Sequence, residues 1–324
     1  MKLKTLALAG VAGLALSAAA IGTASAEPNG APQFRALSGV GSDTTQEVVN
    51  GLSDVIKDNN NAKILGSYFA TGGGTIQTKA GNNCVIPRPN GSGSGRAALV
   101  KSLTPGDATA GCIDFARSSS VSLAATGAGR EITYVPFAID ALTYAINSGS
   151  SIPRNLTLAD LKSIYRCEVP GINPLIPQAG SGTRSSFLTL LGITDTAADR
   201  PACIKDVNNG QPVQEHDGRA ISGVNDIAPF SISQFIAQSF GAQTDRRGSA
   251  TLGALDGKSP FLLNTNATGT REVFNIVPTA KLTTEPIRTV FVGPSSLVCT
   301  NGAEIQRFGF GINPNCGSTT QQTS

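Results

Sequence analysis

The sequence predicts an α/β fold with largely parallel sheets. Three observations carry the prediction. Short apolar runs alternate with helical apolar spacing along the chain, glycine- and hydroxyl-rich turns recur where a strand leads into a helix, and the length suffices for one or two domains with full cores. In such sheets ligands gather at the carboxyl ends of strands, where these turns fall.

Lys2 and Lys4, an apolar run over residues 6–21 and Ala24-Ser25-Ala26 form the pattern of a cleavable secretory signal over residues 1–26. Removing these 26 of the 324 residues leaves 298 and takes the net charge from +3 to +1. With the basic residues scattered, no nucleic-acid or membrane-surface partner is expected. No later run reaches the roughly 18 apolar residues of a membrane span. No cysteine follows the leader to carry a lipid, so the mature protein is expected to be secreted and extracellular, without membrane insertion. The count of Gly 37 and an aromatic share of 5%, with no Trp, point to a backbone-rich site and away from stacking platforms for sugars or bases.

An even number of cysteines in an exported chain predicts disulfides. Sequential pairing, Cys84 with Cys112, Cys167 with Cys203 and Cys299 with Cys316, closes the shortest loops and keeps each bridge within one region. No metal is expected, because C-x-x-C is missing and His216 is the only histidine.

In order, residues 37–41 lead into a helix spaced by Val48, Val49, Leu52, Val55 and Ile56, and Thr44 with Glu47 fits a capping box. Residues 64–70 form a short strand ending at Gly72-Gly73-Gly74. Residues 82–95 read as a loop pinned by Cys84, residues 96–103 as a helix, and residues 112–120 as a strand running into a polar turn. Residues 131–147 are the most β-like run, two apolar halves around Pro136, long enough to cross between domains. Residues 156–165 form an amphipathic helix capped by Thr157.

Residues 177–184, Pro-Gln-Ala-Gly-Ser-Gly-Thr-Arg, then run directly into the helical stretch 185–191. The first turn of a helix has unpaired N–H groups and a partial positive charge. Gly180 and Gly182 admit a ligand close to the backbone, and Ser181 and Thr183 add hydroxyls. An oxyanion fits there without a metal or other cofactor, although a plain cap by Ser181 or Thr183 fits the same residues. Residues 214–218 open a short helix, 227–231 a strand and 232–240 a helix. Residues 274–278 return as a strand, 289–292 and 305–310 close the fold, and 317–324 form a polar tail.

Taken in order, GSDTT (41–45), ATGGG (70–74), DFARSSS (114–120), PFAIDALTYAIN (136–147), LTLADLKSIY (156–165) and GSGTR (180–184) resemble the phosphate-binding proteins of ABC transporters. The resemblance implies a two-lobed type II periplasmic-binding-protein fold, with a mixed sheet in each lobe and a two-crossover hinge at residues 131–147 and near 274–281. Lobe one would be 32–138 plus 278–316, and lobe two 139–277. The implied function is an exported solute-binding protein, monomeric and not an enzyme, that captures an oxyanion, phosphate foremost, for an ABC permease.

Carried over by position, Thr44, Thr71, Ser181, Gly182 and Thr183 match the family's ligand donors. Ser118 stands where the family has an Asp that accepts the proton of hydrogen phosphate, and Pro177 where it has an arginine, so the balancing charge falls to Arg117 or Arg184. Because a buried hydroxyl both donates and accepts, phosphate and sulfate would be poorly discriminated. Two other readings remain. One is a secreted interaction protein that keeps the fold without transport, favoured by the missing anchor and the altered Asp and Arg positions. The other is a phosphate-ester hydrolase, for which Glu215-His216-Asp217 offers a histidine beside a carboxylate but no G-x-S-x-G turn.

Overall fold

The computed structural model describes residues 27–324 except 29, 31 and 264, so the expected leader over 1–26 lies outside the described residues. Strand β1 (Leu37–Gly41), helix α1 (Gln46–Val55), β2 (Leu65–Ser67), α2 (Ser92–Ser102) and β3 (Phe115–Ser118) build the first half of a ten-stranded sheet. There β1 lies between β2 and β3 and parallel to both, as strand–helix alternation requires. Strand β4 (Ile132–Asn147) follows and runs through Pro136 without a break.

Helix α3 (Leu158–Tyr165), β5 (Asn173–Pro174), α4 (Gly182–Leu191), β6 (Asp226–Ser231), α5 (Ile232–Ser239) and β7 (Ala250–Leu252) build the second half, where β6 is antiparallel to β4 and parallel to β5. Strand β8 (Thr270–Pro278) returns antiparallel to β4 and β3. The order is therefore β2-β1-β3-β8-β4-β6-β5. Helices α6 (Ile287–Phe291), α7 (Leu297–Thr300) and α8 (Gly302–Arg307) complete the packing, and β7, β9 (Gly311–Ile312) and β10 (Gln321–Gln322) also pair with β4.

Each half has its own core. Leu52, Phe115, Val277, Phe291 and Phe308 belong to one apolar cluster, and Tyr144, Ile164, Tyr165, Phe187 and Leu191 to another. Strands β4 and β8 join the halves. The register between them slips at Val273/Phe274, opposite Pro136 and Ala138, leaving Phe137 as the extra residue. A proline lacks the N–H a ladder needs, and a bulge is where a sheet tolerates one. Phe274, Asn275 and Ile276, placed by the sequence in lobe two, pair with β3 in the first half.

Some local expectations hold and others meet a different outcome. Thr44 and Glu47 form no capping box: Thr45 occupies the cap position of α1, and Glu47 accepts from the amides of Gln46 and Asn50. At α3 the box does form, between Thr157 and Asp160. Within the expected loop 82–95, Val85–Pro87 pairs with Thr75–Gln77, and α2 starts at Ser92. The short helix expected to open at 214–218 is a 3₁₀ helix at Gly218–Ala220, entered through a turn at Glu215-His216. The polar tail 317–324 contributes β10, and Thr126 N donates to Ser324 O at 2.8 Å. The three disulfides pair sequentially, Cys84–Cys112, Cys167–Cys203 and Cys299–Cys316. No helix among the described residues is long and apolar enough to cross a membrane.

Candidate anion cradle

Two strand-to-helix turns face each other across the cleft between the halves. One brings Thr44 to the start of α1. The other brings Ser181 to the cap of α4, where its hydroxyl accepts from Arg184 N at 3.0 Å and Gly182 opens the helix. Between them lies the carboxylate of Glu215, whose residue is 0% exposed. Its Oε2 accepts from Thr44 N at 2.8 Å and Thr44 Oγ1 at 2.5 Å, and its Oε1 accepts from Gly182 N at 2.9 Å. A buried carboxylate is costly unless hydrogen-bonded, and the positive ends of two helices supply those bonds.

A directed chain of donors leads to it from a cation. Arg271 Nη2 donates to Thr183 Oγ1 at 3.0 Å, and Thr183 Oγ1 lies 3.0 Å from Thr44 Oγ1. Since the Thr44 hydroxyl proton goes to Glu215, Thr183 is the donor to Thr44. Arg271 is itself held by Asp140, directly opposite on β4, through Nε at 3.1 Å and Nη2 at 2.8 Å. The other oxygen of Asp140 accepts from Ser231 Oγ at 2.8 Å and Ser233 N at 3.2 Å at the start of α5. The cleft is shut around this network. Gly93 N donates to Gly180 O at 2.9 Å. A Cβ on Gly182 would come within 2.2 Å of Ser92 Oγ and 2.4 Å of Ser119 Oγ, so only glycine fits there.

Of the residues singled out by the sequence, Thr44 and Gly182 meet at Glu215, Thr183 bonds to Thr44, and Ser181 supports them as a cap. Thr71 stands apart, on the wall of a cavity of about 930 Å³ that Asp43, Gln214, His216 and Arg246 also line. The Ser118 hydroxyl turns to Ser120 O at 2.6 Å.

Neither expected arginine reaches the cradle. Arg117, 0% exposed, donates to the carbonyls of Gly39, Gly41, Ser42 and Tyr68 and to Ser67 Oγ. It ties β1 to β3, and burial lowers its pKa to about 10. Arg184 runs back from α4 to Asp195 at 2.7 Å, Asp206 at 3.0 Å and Pro177 O at 3.2 Å. Its bonds to Asp195 above all push its pKa up.

Sequence reasoning missed Arg271 because the return strand was expected to begin at Phe274, whereas β8 begins at Thr270. It read Glu215 only as a neighbour of His216. That histidine is buried with its Nδ1 3.4 Å from Asp43 Oδ2, and Nδ1 makes no hydrogen bond among the described residues. Burial raises the Asp43 pKa, and His216 partly offsets the rise. Among the described residues no group of three or more His, Cys, Asp or Glu stands where it could hold a metal ion.

No family model and no curated protein sequence matches the chain. Solved structures do match its fold. A phosphate ABC transporter substrate-binding protein from Clostridium perfringens, with bound phosphate, is 14% identical with a TM-score of 0.56, over 86% of this chain and 99% of that one. An ABC-type phosphate transport receptor from Vibrio cholerae is 15% identical with a TM-score of 0.53, over 86% and 100%. A phosphate-binding protein from Stenotrophomonas maltophilia is 13% identical with a TM-score of 0.52, over 87% and 91%. The chain thus has the two-lobed fold of these phosphate-binding proteins.

Proposed function

We propose that the protein is an exported solute-binding protein, not an enzyme, whose cleft takes a tetrahedral oxyanion, phosphate foremost, for delivery to an ABC permease. One observation carries the reading: Thr44 N, Thr44 Oγ1 and Gly182 N converge from two helix starts on a single carboxylate. The two oxygens of Glu215 stand in for two oxygens of a bound anion. Thr183 and Arg271 supply the next donors, so the balancing cation of this reading is Arg271. In the same reading the lobes part along β4 near Ala138 and along β8 near its bulge.

A second reading, a secreted interaction protein that keeps the fold without transport, is favoured by the same carboxylate, which already satisfies the donors. Titration calorimetry of the mature protein and of its Glu215→Ala variant with phosphate, sulfate and a phosphate monoester separates the two. Binding of an inorganic oxyanion by either protein is the expected result for the first reading. Silence from both proteins with all three anions leaves the interaction protein. Turnover of the ester would revive the hydrolase.

A further inference from the structure

The donors that would hold a ligand are already taken, and taken from within the chain. Each backbone N–H of Thr44 and Gly182 aims at one acceptor, and both acceptors belong to Glu215. A phosphate dianion cannot share these donors with a carboxylate a few ångströms away, because two desolvated anions repel strongly and the N–H groups cannot point at both. Glu215 must leave before an oxyanion enters.

A route out exists beside it. Glu215 lies on a turn, outside any helix or strand. Its neighbours Gln214 and His216 line the cavity of about 930 Å³, while Glu215 itself points inward to the cradle. Rotating this turn would carry the carboxylate into that cavity and empty the cradle. Held to Gly182 of its own half, the carboxylate reaches across the cleft to Thr44 N and Oγ1, at the turn into α1 of the first half, where a captured ligand would join the two.

We infer that Glu215 is an internal ligand: its carboxylate occupies the anion cradle, holds the two lobes closed without solute, and competes with any external oxyanion for the same donors. The inference rests on the oxyanion-binding reading for the identity of the competitor, but its effect on lobe closure does not depend on it.

The test combines small-angle X-ray scattering with phosphate titration on the mature protein and on Glu215→Ala. The parent is expected to be compact without ligand and unchanged by millimolar phosphate. Glu215→Ala is expected to be wider without ligand, to close on adding phosphate, and to bind phosphate at least tenfold more tightly than the parent, about 1.4 kcal/mol. A parent that is open without ligand, or that binds phosphate as well as the variant does, overturns the internal ligand and leaves the oxyanion reading standing. If the variant opens yet neither protein binds phosphate, sulfate or the monoester, the oxyanion reading fails while the internal ligand holds. Should Glu215→Ala not fold, Glu215→Gln carries the same test: its NH₂ would face a backbone N–H, so opening and tighter phosphate binding are expected in the same direction, and a closed, unchanged Glu215→Gln overturns the proposal.

Discussion

Among the described residues Arg117 is the largest fully buried side chain, and its five hydrogen bonds end on four backbone carbonyls and one hydroxyl. One guanidinium can serve several buried acceptors at once, here the carbonyls of Gly41, Ser42 and Tyr68 and that of Gly39, which also accepts from Tyr68 N at 2.9 Å. Arg117→Met would take a hydrogen bond from each of these buried acceptors. We expect it to cost about 3–5 kcal/mol of folding stability, read by guanidinium denaturation; a variant as stable as the parent but deficient in phosphate binding would return Arg117 to the site.

Asp43 makes a second prediction at this scale. Burial raises its pKa above 3.8, so the fold favours the protonated form. Its contribution to stability is complete below the unfolded value and is lost as pH rises through the higher folded value. Asp43→Asn, which stays neutral, should therefore gain on the parent between about pH 4.5 and about pH 7. Denaturation midpoints at the two pH values would show the opposite trend if His216 held the carboxylate charged.

Helices and turns show which features a sequence discloses. The capping box at Thr157 joins residues three apart, and Ser181 caps Arg184 N over the same distance. Such short-range chemistry is legible, as are the sequential disulfides, whose partners are separated by 17 to 36 residues. The same local logic failed at Thr44, because its hydroxyl is claimed by Glu215, 171 positions away. Arg271 and Asp140 are separated by 131 positions and meet only because β8 returns beside β4. The donors of the cradle were thus readable, and its acceptor and its cation were not. Close packing at the start of α4 yields a prediction for the element. Gly182→Ala suits the helix itself, but its methyl would strike the hydroxyls of Ser92 and Ser119 from the other half. We expect it to leave each lobe folded and to wedge the cleft open, lowering energy transfer between one fluorophore on each lobe. Unchanged transfer would mean that the facing serines yield.

At the scale of the molecule, two kinds of connection join the lobes, and they differ in what opening would disrupt. β4 and β8 run unbroken from one half to the other, with β8 paired to β4 from Thr270 to Pro278. The cleft is closed instead by separate contacts: Gly93 N to Gly180 O, Thr44 to Glu215, Thr44 to Thr183, and Ser186 Oγ to Ser119 O at 3.1 Å. Each exchanges a protein partner for water when the cleft opens, a net change of about 0.5–1.5 kcal/mol per ordinary hydrogen bond, whereas parting β4 from β8 would expose both apolar cores. The disulfides do not resist opening, since each closes a loop within one half. Native-state hydrogen exchange should therefore resolve two classes of amide. Thr44 and Gly93 should exchange together through a low-energy opening that is insensitive to denaturant, because little surface is exposed, and the paired amides of β4 and β8 should exchange only with global unfolding. If these two cleft amides prove as slow and as denaturant-dependent as those of β4, the lobes do not move independently, and closure is part of the fold rather than a step in binding.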